Sequence, residues 1–125
     1  MSREKVFVID DDASVRRALQ RLIQTTKYDV ETLDRALAYL GHEAPTPPAC
    51  LVLDIRMPDM SGLDLQQLIR GTPHALPIVF ITGHGDEEAR NSALAEGAVD
   101  VLSKPLDDEV LLEAIARALA RSRRA

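Results

Sequence analysis

Cysteine is almost missing from this chain. Cys50 is the single one among 125 residues, so no disulfide can form within it, and the usage suits a reducing compartment. Tryptophan is absent and aromatic residues make up only 3%. Basic charge is also short, with 15 Lys plus Arg against 20 Asp plus Glu and a net charge of −5. A domain that binds nucleic acid through its own surface needs a basic face to neutralise phosphates, so direct nucleic-acid binding is not expected. No apolar run approaches the roughly 20 residues of a membrane-crossing helix, and no basic start precedes an apolar stretch. A soluble, cytoplasmic protein without membrane contact is expected. There is no internal repeat, no Walker loop and no dinucleotide-binding glycine fingerprint.

What is present fits one globular domain over residues 1–125, with 46% apolar residues to build a core. Five short runs punctuate the chain, at 5–10 (K-V-F-V-I-D), 29–33 (D-V-E-T-L), 50–54 (C-L-V-L-D), 78–82 (I-V-F-I-T) and 99–103 (V-D-V-L-S). Four are nearly continuous in Val, Ile, Leu or Phe, as strands covered on both faces are. The run at 29–33 is more polar and alternating, as an edge strand would be.

Between the runs lie amphipathic segments. Val15, Leu19, Leu22 and Ile23 share one helical face, with Arg16, Arg17, Gln20 and Arg21 elsewhere and Asp12 placed to cap the N-terminus. Asp34 is placed to cap a second helix that Gly41 ends. A third carries Leu65, Leu68 and Ile69 and stops at Gly71, with Pro73 just beyond. A fourth, at about 87–96, is weakly apolar and closes at Gly97. The last carries Leu111, Leu112, Ile115 and Leu119, with Arg117 and Arg121 toward its C-terminal dipole. The segment 41–49 (G-H-E-A-P-T-P-P-A) reads as a surface connection.

Strand and helix in alternation predict an α/β fold, a five-stranded parallel sheet in the flavodoxin-like order 2-1-3-4-5 with helices on both faces. All strand C-termini then share one edge. Asp10 and Asp11 follow the first strand, Asp54 ends the third, Thr82 ends the fourth and Lys104 follows the fifth. Carboxylates crowded into one crevice repel, so either their pKa values rise or a cation joins them. A small all-oxygen ligand set suits Mg²⁺, and a carboxylate beside such a cation can attack phosphorus to form an aspartyl phosphate. A lysine ammonium and a threonine hydroxyl can stabilise the charge on the transferring phosphoryl group. Asp54, the central carboxylate on a central strand, is read as the nucleophile.

The motifs V-F-V-I-D-D-D, L-V-L-D-I-R-M-P-D-M-S-G, I-V-F-I-T-G-H-G-D and S-K-P, in that order along nearly the whole chain, resemble the response-regulator receiver domains of two-component signalling. The D-x-R-M-P-x-M-S-G and I-T-G-H-G-D segments are most similar to the FixJ-like subfamily, whose members usually carry a C-terminal helix-turn-helix. The resemblance implies that Asp54 is the phosphoacceptor, Asp11 a direct Mg²⁺ ligand and Asp10 the holder of a metal-bound water. It assigns the Arg56 backbone carbonyl as a further metal ligand, Thr82 as the switch hydroxyl and Lys104 as the phosphate-facing lysine, aimed by a cis bond to Pro105. It also implies a sensor histidine kinase as donor, dimerisation on phosphorylation and an effector domain or partner protein as output. The expected activity is self-directed phosphotransfer with slow autodephosphorylation, not turnover of a free substrate. Two features depart from the family. Val101 stands where many members have Tyr or Phe, so no ring can swing there, and 87–92 (E-E-A-R-N-S) is unusually polar.

Each residue also has a plainer reading: a solvated helix cap for Asp10, Asp11 and Asp12, a strand-end carboxylate for Asp54, a surface lysine for Lys104, and a backbone-satisfying hydroxyl for Thr82. Gly62, Gly83 and Gly85 read as backbone geometry. His84 reads as a loop bystander, although its place two beyond Thr82 would let it modulate water access to a phosphoryl group. A phosphatase of the haloacid-dehalogenase type would make Asp10 the nucleophile, but it needs a later acidic strand end and leaves Asp54 idle. A flavodoxin-type cofactor binder is opposed by the scarce aromatics and by acids where a phosphate loop should stand. A pseudo-receiver that signals by binding alone is opposed by the complete acid, threonine and lysine set. A stand-alone regulator and a receiver severed from an output domain both fit, since no effector domain is present.

Overall fold

Strands buried on both faces need apolar residues at nearly every position, and three of the five strands have them, the exceptions Lys5, Asp54 and Thr82 standing at strand ends. The structure, a computed structural model, describes residues 3–83 and 86–124. In β1 (Lys5–Ile9), β3 (Ala49–Asp54) and β4 (Ile78–Thr82) successive side chains point to opposite faces. Phe7, Ile9, Leu51, Leu53 and Phe80 fill one core layer, while Val6, Val8, Cys50, Val52, Val79 and Ile81 fill the other. The edges are β2 (Asp29–Leu33) and β5 (Asp100–Ser103), in the parallel order β2-β1-β3-β4-β5. The expected order is therefore observed. At its edge of the sheet β5 gives Val101 to one core layer and the half-buried Leu102 to the other, and Val101 is its one fully buried residue.

Helices α1 (Ala13–Gln24) and α5 (Asp108–Arg124) cover the valine-rich face through Leu19, Ile23, Leu111, Ile115 and Leu119. Helices α2 (Ala36–Leu40), α3 (Gly62–Ile69) and α4 (Glu87–Ala95) cover the other face, led by Ala36, Tyr39, Leu65, Ile69 and Ala93. Among the described residues no helix is long and apolar enough to cross a membrane.

Asp12 caps α1 as expected, accepting from the backbone N–H groups of Ser14 and Val15, and these bonds hold its carboxyl below the usual range. Asp34 does not cap α2. That role falls to Asp59, distant in sequence, whose two carboxylate oxygens accept from the Ala36 and Leu37 N–H groups. Arg117 and Arg121 do more than face a helix dipole: Arg117 pairs with Asp100 at 2.9 Å, and Arg121 donates to the Gly97 carbonyl. The first ties α5 to β5 and the second ties it to the turn before that strand.

Gly62 is demanded by packing. A Cβ there would collide with the Asp54 carbonyl oxygen and press on the Phe80 ring and the Ile55 Cα. The Gly62 N–H also donates to the Ile55 carbonyl at 2.7 Å, drawing α3 against the end of β3. Gly62→Ala is expected to destabilise the fold by about 1–3 kcal/mol through overpacking, read as a lowered urea midpoint with unchanged slope.

Candidate phosphoryl-acceptor site

Register alone brings the acids together. Ile9 of β1 lies opposite Leu53 of β3, so the next residues, Asp10 and Asp54, leave the sheet side by side. Asp54 lies beside Ile81 of β4, and Thr82 faces Ser103 of β5, which places Lys104 directly beyond. The Lys104 N–H donates to the Thr82 carbonyl at 2.8 Å, extending the β4–β5 ladder by one bond. The Lys104–Pro105 peptide is cis, as expected.

Asp10 is held from several sides. Its N–H donates to the Leu33 carbonyl, its own carbonyl accepts from Arg16 Nη1 at 2.7 Å, and its Oδ1 accepts from the Asp12 N–H at 2.9 Å. Its Oδ2 is buried and has no hydrogen-bond partner. Lys104 Nζ lies 3.6 Å from that oxygen and 3.7 Å from Asp54 Oδ2, at ion-pair range but too far for hydrogen bonds. The ammonium thus sits between two carboxylates without closing on either.

One oxygen each from Asp10, Asp11 and Asp54 lies within 4.8 Å of the others. Asp10 and Asp54 are buried and Asp11 is exposed, giving a cluster with one open side. Burial pushes the Asp54 carboxyl up to about 6; the nearby Asp10 and Asp11 charges push the same way, against Lys104 and the Arg56 N–H. That N–H donates to Asp54 Oδ1 at 3.2 Å and orients the carboxylate. Three clustered carboxylates, one of them with a buried oxygen that lacks a hydrogen-bond partner, are a donor set that suits Mg²⁺, which takes a few carboxylates and keeps several waters.

The structure therefore brings Asp10, Asp11, Asp54 and Lys104 into one cluster, with Thr82 buried at the end of the adjoining strand. Val101 lies two pairs back, opposite Phe80, and is already inside the core. His84 and Gly85 fall outside the described residues. One contact escaped the sequence reading: Arg56 Nη2 pairs with Asp86 Oδ2 at 2.5 Å. Asp86 is the N-cap of α4, and its other oxygen accepts from the Ala89 N–H. An aspartate before E-E-A-R signals the cap in sequence, but nothing local signals its partner across 30 residues.

The sequence pattern of the response regulator receiver domain family matches residues 6–116. Nodulation protein W of Bradyrhizobium diazoefficiens is 45% identical over 120 residues, covering 95% of this chain and 52% of that protein. The transcriptional regulatory protein FixJ of Rhizobium meliloti is 36% identical over 118 residues, covering 94% of this chain and 58% of that protein. Among solved structures, the response regulator StyR superposes with a TM-score of 0.90 at 42% identity, covering 98% of this chain and 62% of that one. The chain thus spans about half the length of the curated relatives it matches.

The crowding of acids has a measurable consequence. A carboxyl raised from 3.8 to about 6 binds its proton more tightly folded than unfolded, so its ionisation costs stability as pH rises through that window. In EDTA at pH 7.5, Asp54→Asn is expected to be more stable than the parent, with the gain shrinking as pH falls from 6 toward 4. Urea unfolding across that range checks it; a variant less stable than the parent at pH 7.5 would contradict the repulsion argued here.

Proposed function

The chain belongs to the response regulator receiver domain family, and from that premise we propose that Asp54 accepts a phosphoryl group from a phosphohistidine of a sensor kinase. The observation that carries this is the geometry at the sheet edge: Asp54 on a central strand, Asp10 and Asp11 within 4.8 Å through their oxygens, and Lys104 3.7 Å from Asp54 Oδ2.

The chemistry follows from charge. One Asp54 oxygen attacks phosphorus, a P–O bond forms, the P–N bond to the donor imidazole breaks, and the ring nitrogen keeps the electron pair and takes up a proton. The Arg56 N–H holds the other Asp54 oxygen and so presents the attacking one. Lys104, already between the Asp10 and Asp54 carboxylates, neutralises equatorial phosphoryl oxygens. Thr82 at the end of β4 supplies a hydroxyl donor beside them. Asp10, Asp11 and the Arg56 carbonyl would hold Mg²⁺ together with Asp54. When bound, that ion supplies further neutralisation of phosphoryl charge.

Loss of the phosphoryl group is self-directed hydrolysis of an acyl phosphate, so the domain is a switch and not a turnover enzyme. Its place in a phosphorelay is cytoplasmic, facing a kinase's phosphohistidine. Phosphorylation shifts a two-state equilibrium in the segment after β4 and in α4, exposing a face that pairs with a second copy or an effector. The relatives' extra length, with transcriptional regulators among them, supports a C-terminal helix-turn-helix output.

Incubation with acetyl phosphate and Mg²⁺ followed by intact-mass spectrometry tests the assignment. A labile gain of about 80 Da, one phosphoryl group, is expected in the parent and absent from Asp54→Ala and from EDTA controls. Lys104→Met is expected to slow its appearance by about 10²-fold or more, as loss of one preorganised charge does. An adduct persisting in Asp54→Ala would move the nucleophile to Asp10.

A further inference from the structure

Helix α4 is held by an unusual set of contacts. Only Ala93 of its nine residues is buried, so little apolar area anchors it. Polar ties substitute. At its C-terminal end Gln66 Nε2 donates to the Ala93 carbonyl at 3.2 Å, and Arg70 donates to the Glu96 carbonyl at 2.9 Å. At its N-terminal end Arg90 Nη1 donates to the Val101 carbonyl at 2.5 Å. The other polar tie described at that end is the Arg56–Asp86 ion pair, beside the half-buried Ala89 packed on the core.

Arg56 is bound at both ends. Its backbone N–H sits on Asp54 Oδ1, and its guanidinium sits on the aspartate that caps α4. A change at the acceptor carboxylate therefore reaches the start of α4 through a single residue. No ring is available for the same purpose, because residue 101 is a valine already buried in the core.

We propose that the Arg56–Asp86 ion pair is a latch on α4, closed in the unphosphorylated domain and released when Asp54 is phosphorylated. The proposal rests on Asp54 being the acceptor. A phosphoryl group brings a charge of about −1.5 to −2 and three strong acceptor oxygens to the carboxylate that the Arg56 N–H holds. A guanidinium fork matches such oxygens better than a single carboxylate oxygen. The Arg56 side chain is 78% exposed, so no packing prevents it from leaving Asp86 for them. With the pair open, the N-terminal half of α4 keeps the Arg90 hydrogen bond and the half-buried Ala89 against the core, whereas its C-terminal half stays fixed to α3 by Gln66 and Arg70.

Linkage sets the sign of the test. If phosphorylation opens the latch, opening the latch must favour the phosphorylated state. Asp86→Asn removes the charge while keeping a good N-cap oxygen for the Ala89 N–H. With beryllofluoride and Mg²⁺ as the phosphoryl mimic, this variant is expected to bind the mimic about 2–5-fold more tightly than the parent at low salt, the range an exposed ion pair supports. The difference should fade at high salt. In the unloaded variant, amide hydrogens in the first turn of α4 should exchange about 2–5-fold faster. Arg56→Gln combined with Asp86→Asn should exchange no faster there than Asp86→Asn alone, since one interaction cannot be lost twice. A pair that merely stabilised the domain would leave mimic affinity equal or weaker when broken, and either result overturns the latch. If the parent itself takes no beryllofluoride, the acceptor reading falls and the latch with it; equal binding by parent and variant sinks the latch alone.

Discussion

Two buried carboxylates side by side are the constraint from which the site is built. Asp10 and Asp54 meet because Ile9 pairs with Leu53 in the sheet, and the pairing is fixed in turn by apolar residues on both faces of β1 and β3. A register slip of one residue would send every one of those side chains to the wrong core layer. The hydrophobic layers therefore do more than hold the chain together: they force an electrostatically unfavourable meeting at the edge of the sheet. Lys104 relieves part of it, yet stands too far from either carboxylate to satisfy Asp10 Oδ2. Destabilisation is stored where a cation would relieve it, as expected of a site in which stability is traded for function.

A glycine close approach and an aspartate cap secure the surroundings of that edge. Gly62 lets the start of α3 lie against the Asp54 carbonyl, and Asp59, three residues earlier, reaches across to cap α2. The loop after β3 is thereby pinned at both ends while it carries the Arg56 N–H to Asp54. A loop that only connected two elements would not need so many fixed points; one that holds a carboxylate in a set orientation does.

Much of this was legible in the sequence, and unevenly so. Strands β1, β3 and β4 announce themselves because a fully buried strand tolerates apolar residues at every position. Asp10, Asp11, Asp54, Thr82 and Lys104 could be placed on one edge because parallel topology puts every strand C-terminus there. Contacts between residues far apart in the chain and set by the packing of helices and loops were not legible. Asp34 satisfies every local rule for a cap and is passed over, because Asp59 arrives from a different loop with two oxygens for two orphan N–H groups. The fifth run looks central by composition, and it was the predicted order 2-1-3-4-5, not composition, that placed it at the edge, where its Val101 alone is fully buried. Arg56 was noticed for its carbonyl, and its guanidinium went unremarked because its partner lies 30 residues on.

The polar stretch at 87–92 looks like a weakness in the fold until its attachments are considered. A helix anchored by several leucines would be bound to the sheet by burial of about 1.5–3 kcal/mol for each, far more than rearranging charge at a single carboxylate can overcome. One anchored by Ala93 and a few ion pairs and hydrogen bonds to carbonyls is held by terms of roughly 0.2–3 kcal/mol apiece. Those terms are electrostatic and directional, so they respond to a new dianion nearby in a way that apolar contact does not. Elements that must move in signalling are drawn from the least stable parts of a structure. The low apolar content of α4 and the valine at 101 then belong together. In the proposed latch the coupling between Asp54 and α4 is carried by charge, through Arg56 and Asp86.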